Sequence, residues 1–220
     1  MKPIYLIINF KSYQESLGLK GLRIAKAAEK ISMATGKRII IAPQAVDLRV
    51  IVEKVKLPVY SQSVSLNKPG PYTGSITMQA LIDAGVNGVL INHHENKLDF
   101  KDIESQVAAC GRHNLNSVVF APNILLIRQL VMIKPGFIVF APPELTGGPV
   151  SVGSKPDLIN QASRLAGDIP LLASGGIATP KDIKNIMLAG ASGVVVSSSI
   201  IKSDKPEEVI NNLVNALRTK

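Results

Sequence analysis

The 220-residue sequence predicts an α/β protein, a closed (β/α)8 barrel of parallel strands forming one domain over residues 1–220. Three observations lead there. Short runs rich in Ile, Val and Leu recur along the chain, and between most of them lie stretches with apolar residues at helical spacing. Runs such as Arg38–Ala42 and Gly88–Ile91 are apolar without alternation, as in strands covered on both faces. No Gly-x-Gly-x-x-Gly follows the first run and there is no P-loop, so the usual marks of an open doubly wound sheet are missing.

Taken in order, strands are predicted near 4–10, 38–43, 58–63, 88–93, 116–121, 136–141, 170–174 and 193–197. Among the intervening helices, Leu158, Ile159, Ala162 and Leu165 form one apolar stripe, and Val209, Ile210, Leu213, Val214 and Leu217 another. Three helix starts carry explicit signals: Ser154-Lys-Pro-Asp157, Thr179-Pro-Lys-Asp182 and Asp204-Lys-Pro-Glu207. Each offers an N-cap oxygen, an early proline and an acid in the first turn.

Composition narrows the class. With 46% hydrophobic and 19% charged residues, the chain can bury a full core, and disorder is excluded. The single cysteine, Cys110, cannot form an internal disulfide, and no basic segment leads into a signal-length apolar core, so the expected location is cytoplasmic. The apolar run Ile4–Ile8 is far short of the ~20 residues that cross a bilayer, and no membrane partner is expected. A net charge of +9 favours anionic partners without choosing among them. Nucleic acid is disfavoured because Trp is absent and aromatics are only 4%, which leaves few stacking platforms. Lys20, Arg23, Lys26 and Lys30 share a helical face that reads as solvent-exposed.

On such barrels, active sites lie at the C-terminal ends of the strands. The first strand ends in Asn9-Phe10-Lys11, where alternation puts Asn9 and Lys11 on the same side. A lysine at a barrel mouth either finds an anion, from the protein or a substrate, or extends its amine to bulk water. The fourth strand ends in Asn92-His93-His94-Glu95. Adjacent histidines on an extended chain face opposite ways and make a poor metal pair, so no metal is expected; one near the mouth could polarise a carbonyl or shuttle a proton.

After the sixth strand comes Phe140-Ala-Pro-Pro-Glu-Leu-Thr-Gly-Gly-Pro-Val-Ser151, with Glu144 behind two prolines and Gly147 and Gly148 beyond it. The stretch reads either as a rigid base followed by a movable flap or as a proline-rich surface turn. Strands seven and eight end in Ala173-Ser-Gly-Gly-Ile177 and Gly193-Val-Val-Val-Ser-Ser-Ser199. Small residues there let backbone N–H groups approach an anion closely.

These motifs, in this order and spacing, resemble the triosephosphate isomerase family over nearly the whole chain, and the short length resembles its archaeal branch. Asn9-Phe-Lys11 matches the family's Asn-x-Lys, Asn92-His-His-Glu95 its His-Ser-Glu segment, and Pro142-Pro-Glu144 its strand-six Pro-Glu. The resemblance implies a TIM barrel that interconverts dihydroxyacetone phosphate and glyceraldehyde 3-phosphate through an enediolate, with no cofactor. By carry-over, Glu144 removes the proton, His93 polarises the substrate oxygens, and Lys11 with Asn9 stabilises charge, supported by Glu95. Gly147, Gly148 and Ser151 become loop residues, and Gly175, Gly176, Ser198 and Ser199 phosphate-binding turns.

Gly70-Pro-Tyr-Thr-Gly74 resembles the family's dimer-forming third loop, with Thr73 reaching a neighbouring subunit, which implies a homodimer or homotetramer. The sequence departs from the family at His94, where serine is usual, and at Ser174 and Ser199, where glycine is usual; the loop after Glu144 is shorter than the archaeal pattern. A Ser199 forced to φ > 0 would carry strain of order 1 kcal/mol. A non-catalytic phosphosugar-binding barrel is the alternative reading, and an imine-forming aldolase using Lys11 a third.

Overall fold

A computed structural model describes residues 3–145 and 150–217. Eight parallel strands alternate with helices: β1 (Tyr5–Asn9), β2 (Arg38–Ala42), β3 (Tyr60–Ser61), β4 (Gly88–Ile91), β5 (Asn116–Ala121), β6 (Phe137–Phe140), β7 (Leu171–Ser174) and β8 (Gly193–Val196). The ladder runs β2-β1-β8-β7-β6-β5-β4-β3, and an isolated parallel bridge, Ile41 opposite Val59, brings its two ends together. The predicted barrel is thus the observed one. Several strands are a residue or two shorter than predicted, most of all β3, because ladder pairing ends before the apolar run does.

Period-two alternation splits the strand residues into two cores. Ile7, Ile40, Leu90, Val118, Val139, Leu172 and Val195 fill the barrel interior. Their neighbours Leu6, Ile8, Ile39, Ile41, Val89, Ile91, Val119 and Ile138 face outward, packed with the helices. A strand apolar on both faces has two such layers to satisfy, which is why the sequence runs show no polar alternation.

The helices between the strands are α1 (Leu19–Thr35), α2 (Leu48–Lys54), α3 (Met78–Asp83), α4 (Phe100–Arg112), α5 (Ile124–Ile133), α6 (Pro156–Ala166) and α7 (Pro180–Leu188). After β8 come a four-residue helix, α8 (Ser198–Ile201), and then α9 (Pro206–Ala216). The expected stripe of α9 is buried at Ile210, Leu213, Val214 and Leu217, with Val209 partly so. On α6, Ile159 and Ala162 are buried and Leu165 packs beside them, but Leu158 lies outside the buried arc and is exposed.

Of the three helix starts, only α7 caps as expected. Thr179 Oγ1 accepts from Asp182 N–H, and Asp182 accepts from Thr179 N–H, a full capping box. At α6 and α9 the residue before proline, Lys155 or Lys205, takes the N-cap position without a side-chain bond. Proline occupies the first helical position there, so Ser154 and Asp204 stand one residue too early to cap. Lys20, Arg23, Lys26 and Lys30 are all exposed on α1, as expected. Cys110 is buried, and burial pushes its thiol up to about 11, which leaves it unreactive. No helix among the described residues is long and apolar enough to cross a membrane.

Candidate active site

Strand β1 delivers its last residue into the barrel. Asn9, two residues beyond the interior-facing Ile7, is 4% exposed, and its Oδ1 accepts from Lys11 N–H at 2.9 Å. Lys11 has φ 49°, in the left-handed region that side chains other than glycine's seldom adopt. Gln62, just past β3, helps hold it there by donating from Nε2 to the carbonyls of Lys11 (2.9 Å) and Ala42 (3.0 Å). The Lys11 ammonium then reaches Glu95 Oε1 at 2.7 Å.

At the end of β4 the chain leaves extended conformation. Asn92 has φ 60°, donates from Nδ2 to Phe120 O and accepts at Oδ1 from Leu98 N–H, both at 2.9 Å. Asn tolerates this backbone region better than most residues. The following histidines therefore do not point opposite ways as an extended chain would require. Their ring centroids lie 4.3 Å apart.

His93 stacks edge-on against Phe120, and its Nδ1 accepts from the Glu95 N–H at 3.3 Å, which leaves Nε2 as the ring's donor. Burial, then the nearby His94, hold its pKa down to about 4, so the imidazole is neutral near pH 7. Burial also lowers His94. For Glu95, burial pushes the carboxyl up, but the hydrogen bond and charge of Lys11 outweigh it and hold it below the usual value.

The remaining strand ends supply small residues. Gly175 (φ 122°) and Gly176 (φ 61°) turn the chain after β7. A Cβ on Gly176 would lie 2.3 Å from Val150 O, so only glycine fits against that segment. Val152 N–H donates to Gly175 O at 2.9 Å, and Ser199 Oγ to Ile177 O at 3.0 Å, tying neighbouring turns together. Ser199 sits in α8 and is not among the residues at positive φ, so the anticipated strain does not arise.

Together these ends enclose a cavity of about 400 Å³ lined by Asn9, Lys11, His93, Gly175, Gly176, Ser198 and Ser199. Seven predicted site residues thus meet at one place, and Glu95 joins through its ion pair with Lys11. Glu144 does not line the cavity; it lies exposed on a single 3-10 turn, Pro143–Leu145, whose Leu145 is buried and packs on Gly175. Ser151 stands nearby, its Oγ accepting from Gly153 N–H at 3.1 Å. Thr73 is exposed in a turn, and Gly147 and Gly148 lie outside the described residues.

Sequence reasoning passed over several lining residues. Tyr13 and Lys202 share the cavity wall, with the Lys202 ammonium 4.6 Å from the Tyr13 ring centroid. Ser197 also lines it, and its Oγ is buried with no hydrogen-bond partner among the described residues. The run of three serines was the available signal for Ser197; nothing local marked Tyr13 or Lys202.

Comparison with known proteins agrees with this geometry. A family model described as triosephosphate isomerase matches residues 4–129. The chain belongs to the triosephosphate isomerase family. It is 39% identical over 215 residues to the triosephosphate isomerase of Methanocaldococcus jannaschii, covering 95% of this chain and 98% of that one. To that of Sulfurisphaera tokodaii it is 36% identical over 224 residues, covering 99% and 97%. Within the triosephosphate isomerase family, then, the chain has relatives of matching length from end to end.

Proposed function

We propose that this protein interconverts dihydroxyacetone phosphate and D-glyceraldehyde 3-phosphate by proton transfer through an enediolate. The observation that carries this reading is convergence: an amine, a neutral imidazole and two turns of small residues, from four different strands, border one cavity. The Gly175-Gly176 turn, with Ser198, Ser199 and the unpartnered Ser197 hydroxyl, suits a phosphate dianion. The other half of the cavity suits a carbonyl.

A proton α to a carbonyl is only weakly acidic, so a carboxylate removes it usefully only if the resulting oxyanion is stabilised. In this reading Glu144 takes the proton from one substrate carbon and returns it to the neighbour. His93 donates from Nε2 to the substrate oxygens, and its low pKa matters because a neutral donor can pass its proton and recover it. Such a neutral histidine is the documented pattern for triosephosphate isomerases. Lys11 stabilises the charge that develops on oxygen, with Asn9 and Glu95 holding it in place. Glu144 has to turn inward from its exposed position.

The test is a coupled isomerase assay on the wild type and Glu144→Gln. Loss of a positioned general base lowers kcat by about 10²–10⁴-fold. An unaffected rate would remove Glu144 as the base, while an inactive wild type that still binds a triose phosphate analogue would restore the binding-only reading, which no observation here favours.

We further assign the working form as a cytoplasmic homodimer or homotetramer with no nucleic-acid or membrane partner. The loop carrying Thr73 exposes Leu66 (41%) and Tyr72 (48%), apolar surface suited to a second copy. Sedimentation velocity checks this; a monomer at assay concentration overturns it.

A further inference from the structure

The turn after β4 gathers three metal-ligating side chains that the isomerisation does not require in that form. One donor atom from each of His93, His94 and Glu95 lies within 4.8 Å of the others. His93 Nδ1 is 3.4 Å from Glu95 Oε2, and His94 Nε2 is 3.7 Å from Glu95 Oε1. A tetrahedral ion with bonds of about 2.0–2.1 Å spaces its ligands by roughly 3.3 Å, so each histidine already lies near that spacing from one of the two Glu95 oxygens. The expectation that these histidines make a poor metal pair rested on extended backbone, and Asn92 at φ 60° removes that premise.

We propose that His93, His94 and Glu95 bind a borderline divalent transition ion, Zn2+ or Cu2+, and that its binding inhibits the enzyme. Two imidazoles and one carboxylate are the ligand types these ions prefer. His94 Nδ1 is buried without a hydrogen-bond partner among the described residues, so no neighbour fixes the tautomer, and Nε2 can present its lone pair. Three groups oppose the ion. The Glu95 N–H points at His93 Nδ1, the nitrogen the ion would use. The Lys11 ammonium already holds Glu95 Oε1 at 2.7 Å, and Lys97 adds positive charge near His94. The ion must therefore take Glu95 from Lys11 and break the Glu95 N–H bond that orients the His93 ring, so inhibition follows from loss of these supports and not from blocking Nε2.

The experiment is isothermal titration of the full chain with Zn2+, paired with rate measurements over the same Zn2+ range. The wild type should bind one ion per chain and lose activity in parallel. His94→Ser removes one of three ligands and should weaken both binding and inhibition at least about tenfold, measured against its own uninhibited rate. Lys11→Met frees the carboxylate and should bind Zn2+ more tightly than the wild type, a gain that misfolding cannot mimic. Absence of saturable binding in both the wild type and Lys11→Met overturns the proposal. So does equal affinity in the wild type and His94→Ser, which would place the ion elsewhere, for example at His113. Because binding is read directly, the result stands whether or not Glu144 proves to be the base.

Discussion

The Lys11 ammonium lies 2.7 Å from Glu95 Oε1, an ion pair that joins the end of β1 to the turn after β4. The lysine side chain is 14% exposed and the glutamate 50%, so the pair sits at the rim of the cavity with the amine on its inner side. Of the partners open to a lysine at a barrel mouth, a protein carboxylate takes the place. Lys202 differs, making no ion pair among the described residues and resting on the face of Tyr13.

That difference predicts separate roles for the two cations. Lys202→Met should raise KM for triose phosphate about threefold to tenfold with little change in kcat, since an exposed charge attracts the dianion without touching the reacting atoms. The gap should narrow as salt screens it. Steady-state rates across ionic strength check this; a fall in kcat at unchanged KM would instead place Lys202 in the chemistry.

Acid should destabilise the fold through His93. Its pKa is about 4 in the folded chain against an ordinary 6.5, so between those values the unfolded state binds more protons. Stability is fully present above about pH 6.5 and is lost as pH falls toward 4, by up to about 3 kcal/mol from this group. His94 shifts in the same direction. Urea midpoints from pH 7 to 4 should therefore decline, and His93→Gln should flatten part of that slope. An unchanged slope in the variant would assign the acid sensitivity elsewhere.

Crowding and backbone angle can be separated at two glycines. Gly176 and Gly36 have φ 61° and 67°, but a Cβ at Gly36, in the left-handed region, meets nothing within 4 Å, whereas at Gly176 it meets Val150 O at 2.3 Å. Gly36→Ala should cost about 1 kcal/mol, the left-handed penalty alone. Gly176→Ala should cost at least about twice that and lower Tm by roughly 4–8 °C. Thermal melts of both variants decide it; equal losses would mean the Val150 segment moves aside freely.

Much of the barrel was legible because its information is local. Each strand is an apolar run and each crossover a periodic stretch, so Arg38–Ala42 or Gly88–Ile91 could be placed without knowing their neighbours. Asn9, Lys11 and His93 were legible as a set because strand ends of a parallel barrel all open on one side. What failed depended on one residue's backbone or on distant closure. Asn92 turning left-handed brought His93 and His94 together, and proline at the first helical position displaced Ser154 and Asp204 from capping. Gln62, Tyr13 and Lys202 gain meaning only when the ends of different strands meet in space. Leu158 kept the apolar period of its helix but fell outside the arc that the sheet covers.

Strand β3 holds only Tyr60 and Ser61, and beside it β2 is reached through the lone Ile41–Val59 bridge. Gln62 reinforces this seam from its rim, and the carbonyls it gathers belong to Ala42 and to Lys11 itself. Lys11, at the cavity rim, is thus stapled to the least cross-linked stave of the cylinder among the described residues. Fraying there would release Lys11 from its left-handed pose while the rest of the barrel stayed wound, a local opening that needs no global melting.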